Sequence, residues 1–253
     1  MAFKRIFNLD VNESSVKEKL IVNDRWGRDI RFKHGGIHRN IARYGFKDHY
    51  FDESRGMGFS YGHKREEDAR DYNSAKVLIL HLLDKVSRGG NFLLDIGPDS
   101  DGKNSAYNAE RLLEIGKWMK INGEAIYGTS RWKNPFQWSE GKRDYKQKTD
   151  DWRTGGDVML KLTVDPDPGY AVREVFFTHK NNTLYAILPQ WPSSKKIILK
   201  DLKLAGQKVS LLETSEILRF KNLGNNVEIP LPEFVPAKIR SDHAFVIKIE
   251  GIQ

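Results

Sequence analysis

In the first half of the chain, short apolar runs closed by turn residues alternate with stripes of helical period. Leu20-Ile21-Val22, closed by Asn23-Asp24, reads as a buried strand carrying polar residues at its C-terminal end. Residues 59–62 form a second short strand candidate. After the acidic stretch 66–71, Asn73 or Ser74 can cap a helix. In it Val77, Leu78, His81, Leu82, Lys85 and Val86 recur at helical spacing, and Gly89-Gly90 is the stop. Residues 91–96 are nearly all apolar, the pattern of a strand covered on both faces, and 97–102 are a loop. A further helix spans about residues 108–121, with Leu112, Ile115 and Met119 on one stripe and Asn122-Gly123 at its end.

Strand, helix, strand, loop, helix is the order of parallel βα units. Beyond about residue 128 the pattern changes to short strands between Pro-, Gly- and Asn-rich turns. Residues 172–178 and 183–188 flank Lys180-Asn181-Asn182, a hairpin signature. Residues 196–200, 209–212, 227–231 and 244–249 continue the series, as in an antiparallel β-sandwich. Two domains are expected, 1–128 and 129–253.

Composition narrows the chemistry. At 39% hydrophobic and 30% charged residues the 253-residue chain is too apolar to be disordered throughout. It contains no cysteine, which excludes disulfides, a thiol nucleophile and a zinc–thiolate site. No apolar run approaches the ~20 residues of a membrane span, so no membrane association is expected. The segment 1–7 has no sustained apolar core, so no signal peptide is expected. The formal charge of +8 draws attention to residues 25–47, where seven Arg and Lys face a single acid, Asp29. That stretch is either a solvated basic face or a phosphate-binding surface; no helix-turn-helix, zinc-finger or RNP-like pattern accompanies it, and nucleic acid is not expected as a partner.

Phosphate loops, metalloprotease helices, nucleophile elbows and calcium loops are absent from the sequence. His34 and His38 are four apart, but Gly35-Gly36 between them argues against a helix presenting both to one metal. The segment 95–102, Asp-Ile-Gly-Pro-Asp-Ser-Asp-Gly, places carboxylates after a strand. It reads equally as a catalytic rim or as a tight turn.

Several motifs carry a resemblance to a known family. They are Val22-Asn23-Asp24-Arg25-Trp26-Gly27 followed by His34-Gly35-Gly36, and the run from Val86 through Arg88-Gly89-Gly90-Asn91-Phe92-Leu93-Leu94-Asp95-Ile96-Gly97-Pro98 to Asp101-Gly102. Glu110-Arg111-Leu112-Leu113, Gly116-Lys117-Trp118 and Asn122-Gly123-Glu124-Ala125-Ile126-Tyr127-Gly128 complete the set. Together they resemble the α-L-fucosidases of glycoside hydrolase family 29. Phe177-Thr178, Leu184-Tyr185-Ala186-Ile187 and Trp191-Pro192 are similar to that family's C-terminal β-domain. The resemblance implies the last βα units of a (β/α)8 barrel followed by an antiparallel β-sandwich. It also implies a retaining exo-glycosidase with one carboxylate nucleophile and one carboxylate acid/base, and no metal or organic cofactor.

The same resemblance implies a substrate side formed by Arg25, Trp26, His34 and Asp95. Trp26 can instead pack beneath Arg25, Asp95 can be a structural acceptor, and His34 can belong to a turn. The family's nucleophile, an Asp in a Trp-x-Asp-Gly setting ahead of the Asn-Asp-Arg-Trp motif, finds no counterpart here, and its acid position falls on Ala42 or Arg43. Asp52 and Glu53, aligned with a later Trp-Glu element, are the remaining catalytic candidates; they read otherwise as a solvated acidic turn. The expectation is therefore the C-terminal part of an α-L-fucosidase polypeptide, inactive alone, with a fucosylated glycan or L-fucose as ligand: either a truncated product or half of a split enzyme in which another chain supplies the missing barrel strands. The alternative is a non-catalytic carbohydrate-binding or interaction protein of the same fold. Members of the family the chain resembles are typically secreted, periplasmic or lysosomal.

Overall fold

The computed structural model describes residues 51–146, 157–239 and 241–252. The chain divides into two compact units, Met1–Glu53 and Ser54–Gln253; the account below concerns the second, with strand β1 (Asp52–Gly56). Helix α1 (Ala75–Ser87) begins at Ser74, whose extended backbone lets its hydroxyl accept from the Val77 N–H, a cap worth about 1 kcal/mol. It ends at Gly89, whose φ of 84° reverses the chain so that the Gly89 and Gly90 N–H groups reach the Val86 and Lys85 carbonyls. Strand β2 (Asn91–Asp95) pairs with β1 in a two-stranded sheet. Helix α2 (Ala106–Asn122), capped by Ser105, runs into a 3-10 turn at Gly123–Ala125.

The remaining strands are β3 (Ser130–Trp138), β4 (Arg173–Lys180), β5 (Thr183–Leu188), β6 (Lys196–Leu199), β7 (Lys208–Leu211), β8 (Lys221–Leu223), β9 (Asn226–Pro230) and β10 (Phe245–Glu250); a short helix α3 (Val158–Lys161) precedes β4. They form a five-stranded sheet, β3-β4-β5-β10-β7, and a three-stranded sheet, β6-β9-β8, with antiparallel pairing throughout. The expected hairpin is β4–β5, with Asn181 at φ 52° in its two-residue turn.

Both faces of the large sheet are covered. The period of two sends Val175, Phe177, Leu184, Ala186, Ile247 and Ile249 toward Ile197, Leu199, Val227 and Ile229 of the small sheet. The alternate residues Phe176, Ile187 and Val246, in register across β4, β5 and β10, face Ile79, Leu80 and Leu83 of α1, Trp118 of α2 and Met159 of α3. Each buried Leu or Ile contributes roughly 1.5–3 kcal/mol. Three polar ties join the helical layer to the sheets. Lys76 Nζ donates to the Pro189 and His243 carbonyls, and burial pushes its pKa down to about 8. Glu124 accepts from Tyr185 Oη at 2.7 Å and pairs with Lys248 at 2.6 Å. Asp84 sits among Lys85 at 2.8 Å, Arg88 at 2.9 Å and Arg173 at 2.5 Å.

Four local expectations need correction. Residues 59–62 are bends, because the Ser60 N–H donates to the Glu67 carboxylate at 2.6 Å rather than to a ladder. The strand lies instead at Asp52–Gly56, where an acidic turn was an alternative. Strand β2 is not covered on both faces: Leu93 is 59% exposed, since β1 is its only described neighbour and helices cover one side. Helix α1 is buried nearly all round, and Leu82 and Val86 of the expected stripe are its less buried members, because β2, α2 and the large sheet all pack against it.

Candidate functional site

Strand β1 alternates sides. Arg55 points toward α1, donating to Asp157 Oδ2 at 2.7 Å and contacting His81 Nε2. Phe92 of β2 faces the same way and stacks on His81 with ring centroids 6.3 Å apart. Ser54 therefore points to the opposite face, where its hydroxyl accepts from Tyr61 Oη. Leu93 and Asp95, odd-numbered on β2 like Asn91, lie opposite to Phe92, on the side away from α1. By the same alternation Asp52 shares the face of Ser54, and Glu53 that of Arg55.

Asp95, half-buried at the end of β2, lines a small pocket with Tyr61, Glu67 and Tyr72 that has room for about one water molecule. The walls are fixed by backbone. Met57 N donates to the Asp95 carbonyl at 2.9 Å, and Gly97, at φ 51°, lies so close to residues 61–63 that a Cβ would meet three of their backbone atoms at 3.0 Å. Glu67 closes the pocket by accepting from the Ser60 N–H and hydroxyl. In the segment 95–102, Asp99 Oδ1 accepts from the N–H groups of Asp101 and Lys103 at 2.9 and 2.8 Å, a local turn.

Behind the sheet lies a polar network absent from the sequence reading. Asp157 caps α3 by accepting from the Met159 N–H at 2.8 Å and faces His81 Nε2 at 3.0 Å. Arg55 also donates to Asn73 Oδ1 at 3.2 Å, and Asn73 donates to the Met57 carbonyl. Burial alone would raise the Asp157 pKa, but His81 and Arg55 hold the carboxyl well below its ordinary range. Burial pushes His81 down and favours the neutral imidazole, against the raising effect of its hydrogen bond to the Asp157 carboxylate. These residues brace β1 from α1 and α3. Asp157 lies 76 positions from His81, a separation that no spacing rule connects.

Of the expected site residues, the structure places Asp52 and Glu53 on β1 and Asp95 on the adjacent β2. Arg25, Trp26 and His34, the acid position at Ala42 or Arg43, and the basic stretch 25–47 lie outside the described residues. Among the described residues no cluster of three or more His, Asp or Glu side chains could hold a metal ion, and no helix is long and apolar enough to cross a membrane.

Residues 2–124 match the family model for α-L-fucosidase, and residues 170–250 match that for the α-L-fucosidase C-terminal domain. An α-L-fucosidase of Dictyostelium discoideum is 46% identical over 123 residues, which are 47% of this chain and 27% of that protein. Human tissue α-L-fucosidase is 29% identical over 248 residues, 96% of this chain and 46% of that protein. The crystal structure of Thermotoga maritima α-fucosidase in complex with fucose superposes with a TM-score of 0.66 at 28% identity, covering 93% of this chain and 46% of that one. The chain thus spans less than half the length of these relatives. With both of its parts matching successive parts of one kind of enzyme, the chain belongs to the α-L-fucosidases of glycoside hydrolase family 29.

Proposed function

We propose that this chain is part of an α-L-fucosidase that removes terminal α-L-fucose from glycans with retention, and that its 253 residues do not by themselves form a working catalyst. In this reading residues 1–128 are the last βα units of a (β/α)8 barrel and 129–253 the C-terminal β-domain. Arg25, Trp26, His34 and Asp95 form the fucose side, and the remaining barrel strands lie outside these 253 residues. The family match in both stretches supports the activity class. A retaining glycosidase needs two carboxylates about 5–5.5 Å apart on either side of one sugar bond.

The observation that carries the inactivity is the alternation of β1. Asp52 and Glu53 are consecutive on one strand, so their side chains leave opposite faces and cannot serve one sugar together. The family's acid position, at Ala42 or Arg43, offers no proton donor at neutral pH. The purified chain, given an aryl α-L-fucoside, is expected to release no chromophore above buffer. Robust turnover that Asp52→Asn or Glu53→Gln abolishes would overturn the proposal and make that residue a catalyst. Binding of L-fucose by the chain without hydrolysis would favour the non-catalytic carbohydrate-binding alternative.

A further inference from the structure

Buried carboxylates in this fold are of two kinds. Asp84 and Asp157 each lie against cationic groups. Glu213, in the turn that follows β7, does not. Its Oε1 accepts from the Val246 N–H of β10 at 3.2 Å. With the Asn122 amide oriented to satisfy both its ends, Oε1 also accepts from Asn122 Nδ2 at 3.2 Å, and Asn122 Oδ1 accepts from Trp118 Nε1 at 3.2 Å. Glu213 Oε2 is buried with no hydrogen-bond partner. Trp118 Nε1 also donates to the Ala244 carbonyl at 2.9 Å. The last turn of α2 is thus seated on the ends of β7 and β10 through this carboxyl group beside the direct Trp118–Ala244 bond.

Among the described residues, the elements around Glu213 bring it no charge. Trp118 and Asn122 of α2 do not titrate, Val246 contributes its backbone, and Ser241 donates to the Ala244 carbonyl. Glu124 of the 3-10 turn and Lys248 of β10 pair with each other at 2.6 Å. Glu216, in the same turn as Glu213, is exposed. The two N–H donors on Oε1 favour the charged form, but Oε2 is buried with no partner, and a neutral acid there is cheaper to bury than a charge with no cation beside it among the described residues.

We propose that Glu213 is a proton switch in the seat of helix α2: protonated, it holds the last turn of the helix on the ends of β7 and β10, and its ionisation loosens that seat. Burial pushes the pKa of the group up to about 7, against weaker lowering by backbone hydrogen bonds. An unfolded chain loses this proton near the ordinary carboxylate value of 4.5. Between the two values the folded state binds more protons than the unfolded one, so stability falls as pH rises through that window and levels off above it. The unfolding constant rises by up to about tenfold per pH unit there.

The test is urea unfolding of the full chain from about pH 5 to about pH 8, comparing the natural protein with Glu213→Gln, which keeps the Oε1 acceptor and cannot ionise. The two are expected to be similar at the acid end, and the natural protein is expected to lose stability relative to the variant as pH rises. Hydrogen exchange of amides 119–122 should quicken beyond its intrinsic pH dependence in the natural protein alone. Parallel pH profiles, or exchange that changes equally in both, would overturn the proposal. Should Glu213→Gln not fold, infrared spectra of the natural chain with labelled glutamate decide the matter: a carboxylic-acid band that persists near pH 6 and disappears by about pH 8.5 supports the switch, and its absence near pH 6 refutes it.

Discussion

Asp84→Asn removes one charge and little volume from the junction of α1 with the large sheet. In the native fold Asp84 Oδ1 lies 2.5 Å from Arg173 Nη1 and 2.9 Å from Arg88 Nη2, and Oδ2 lies 2.8 Å from Lys85 Nζ. The four side chains are at most 9% exposed. Burial opposes the Asp84 charge, and Arg173, Lys85 and Arg88 more than reverse that effect, holding the carboxyl well below its ordinary range. Burial also pushes Arg173 down to about 10.

With the amide in place, Arg173 keeps the faces of Phe136 at 4.5 Å and Trp138 at 5.2 Å but loses its anion. Cation–π contacts are worth roughly 0.5–2 kcal/mol. Removing one partner of a buried ion pair costs about 3–5 kcal/mol, so destabilisation of that order is expected in urea unfolding near pH 7. Adding Arg173→Met takes away one of the three cations that faced the lost charge, and the double variant should be more stable than the sum of the singles by about 1–3 kcal/mol. The pH dependence has a definite sign. A depressed carboxylate stabilises above its ordinary value of 3.8 and loses that contribution as pH falls below it, so Asp84→Asn should flatten the acid limb of the stability curve. A cost under about 1 kcal/mol, or singles that add to within about 0.5 kcal/mol, would refute the clamp.

Two further expectations use the same unfolding assay. Gly141 has φ 130°, and a Cβ there would meet Ala171 N at 2.7 Å and Tyr170 C at 2.9 Å, so Gly141→Ala should cost more than about 1 kcal/mol. Leu83 is fully buried between α1 and the large sheet while Leu93 is 59% exposed, so Leu83→Ala should cost about 2–5 kcal/mol and Leu93→Ser stay within about 0.5–1 kcal/mol.

Local rules in the sequence determined the elements whose causes are local. Ser74 and Gly89 bound α1 because a hydroxyl cap and a left-handed glycine act within one turn. Asn181 marks the β4–β5 turn for the same kind of reason. The family motifs were also legible, since they are contiguous strings such as residues 86–98 and 122–128. Tertiary structure alone decided what depends on distant neighbours. Residues 175–177 of β4, 184–188 of β5 and 245–247 of β10 are unbroken in apolar character because the helical layer covers one face and the small sheet the other, whereas the similar run in β2 leaves Leu93 in solvent. Asp84 meets Arg173 across 89 positions, and Asp157 meets Arg55 across 102. Charge pairing depends on spatial distance and on the water that burial removes, and neither quantity is written in sequence spacing.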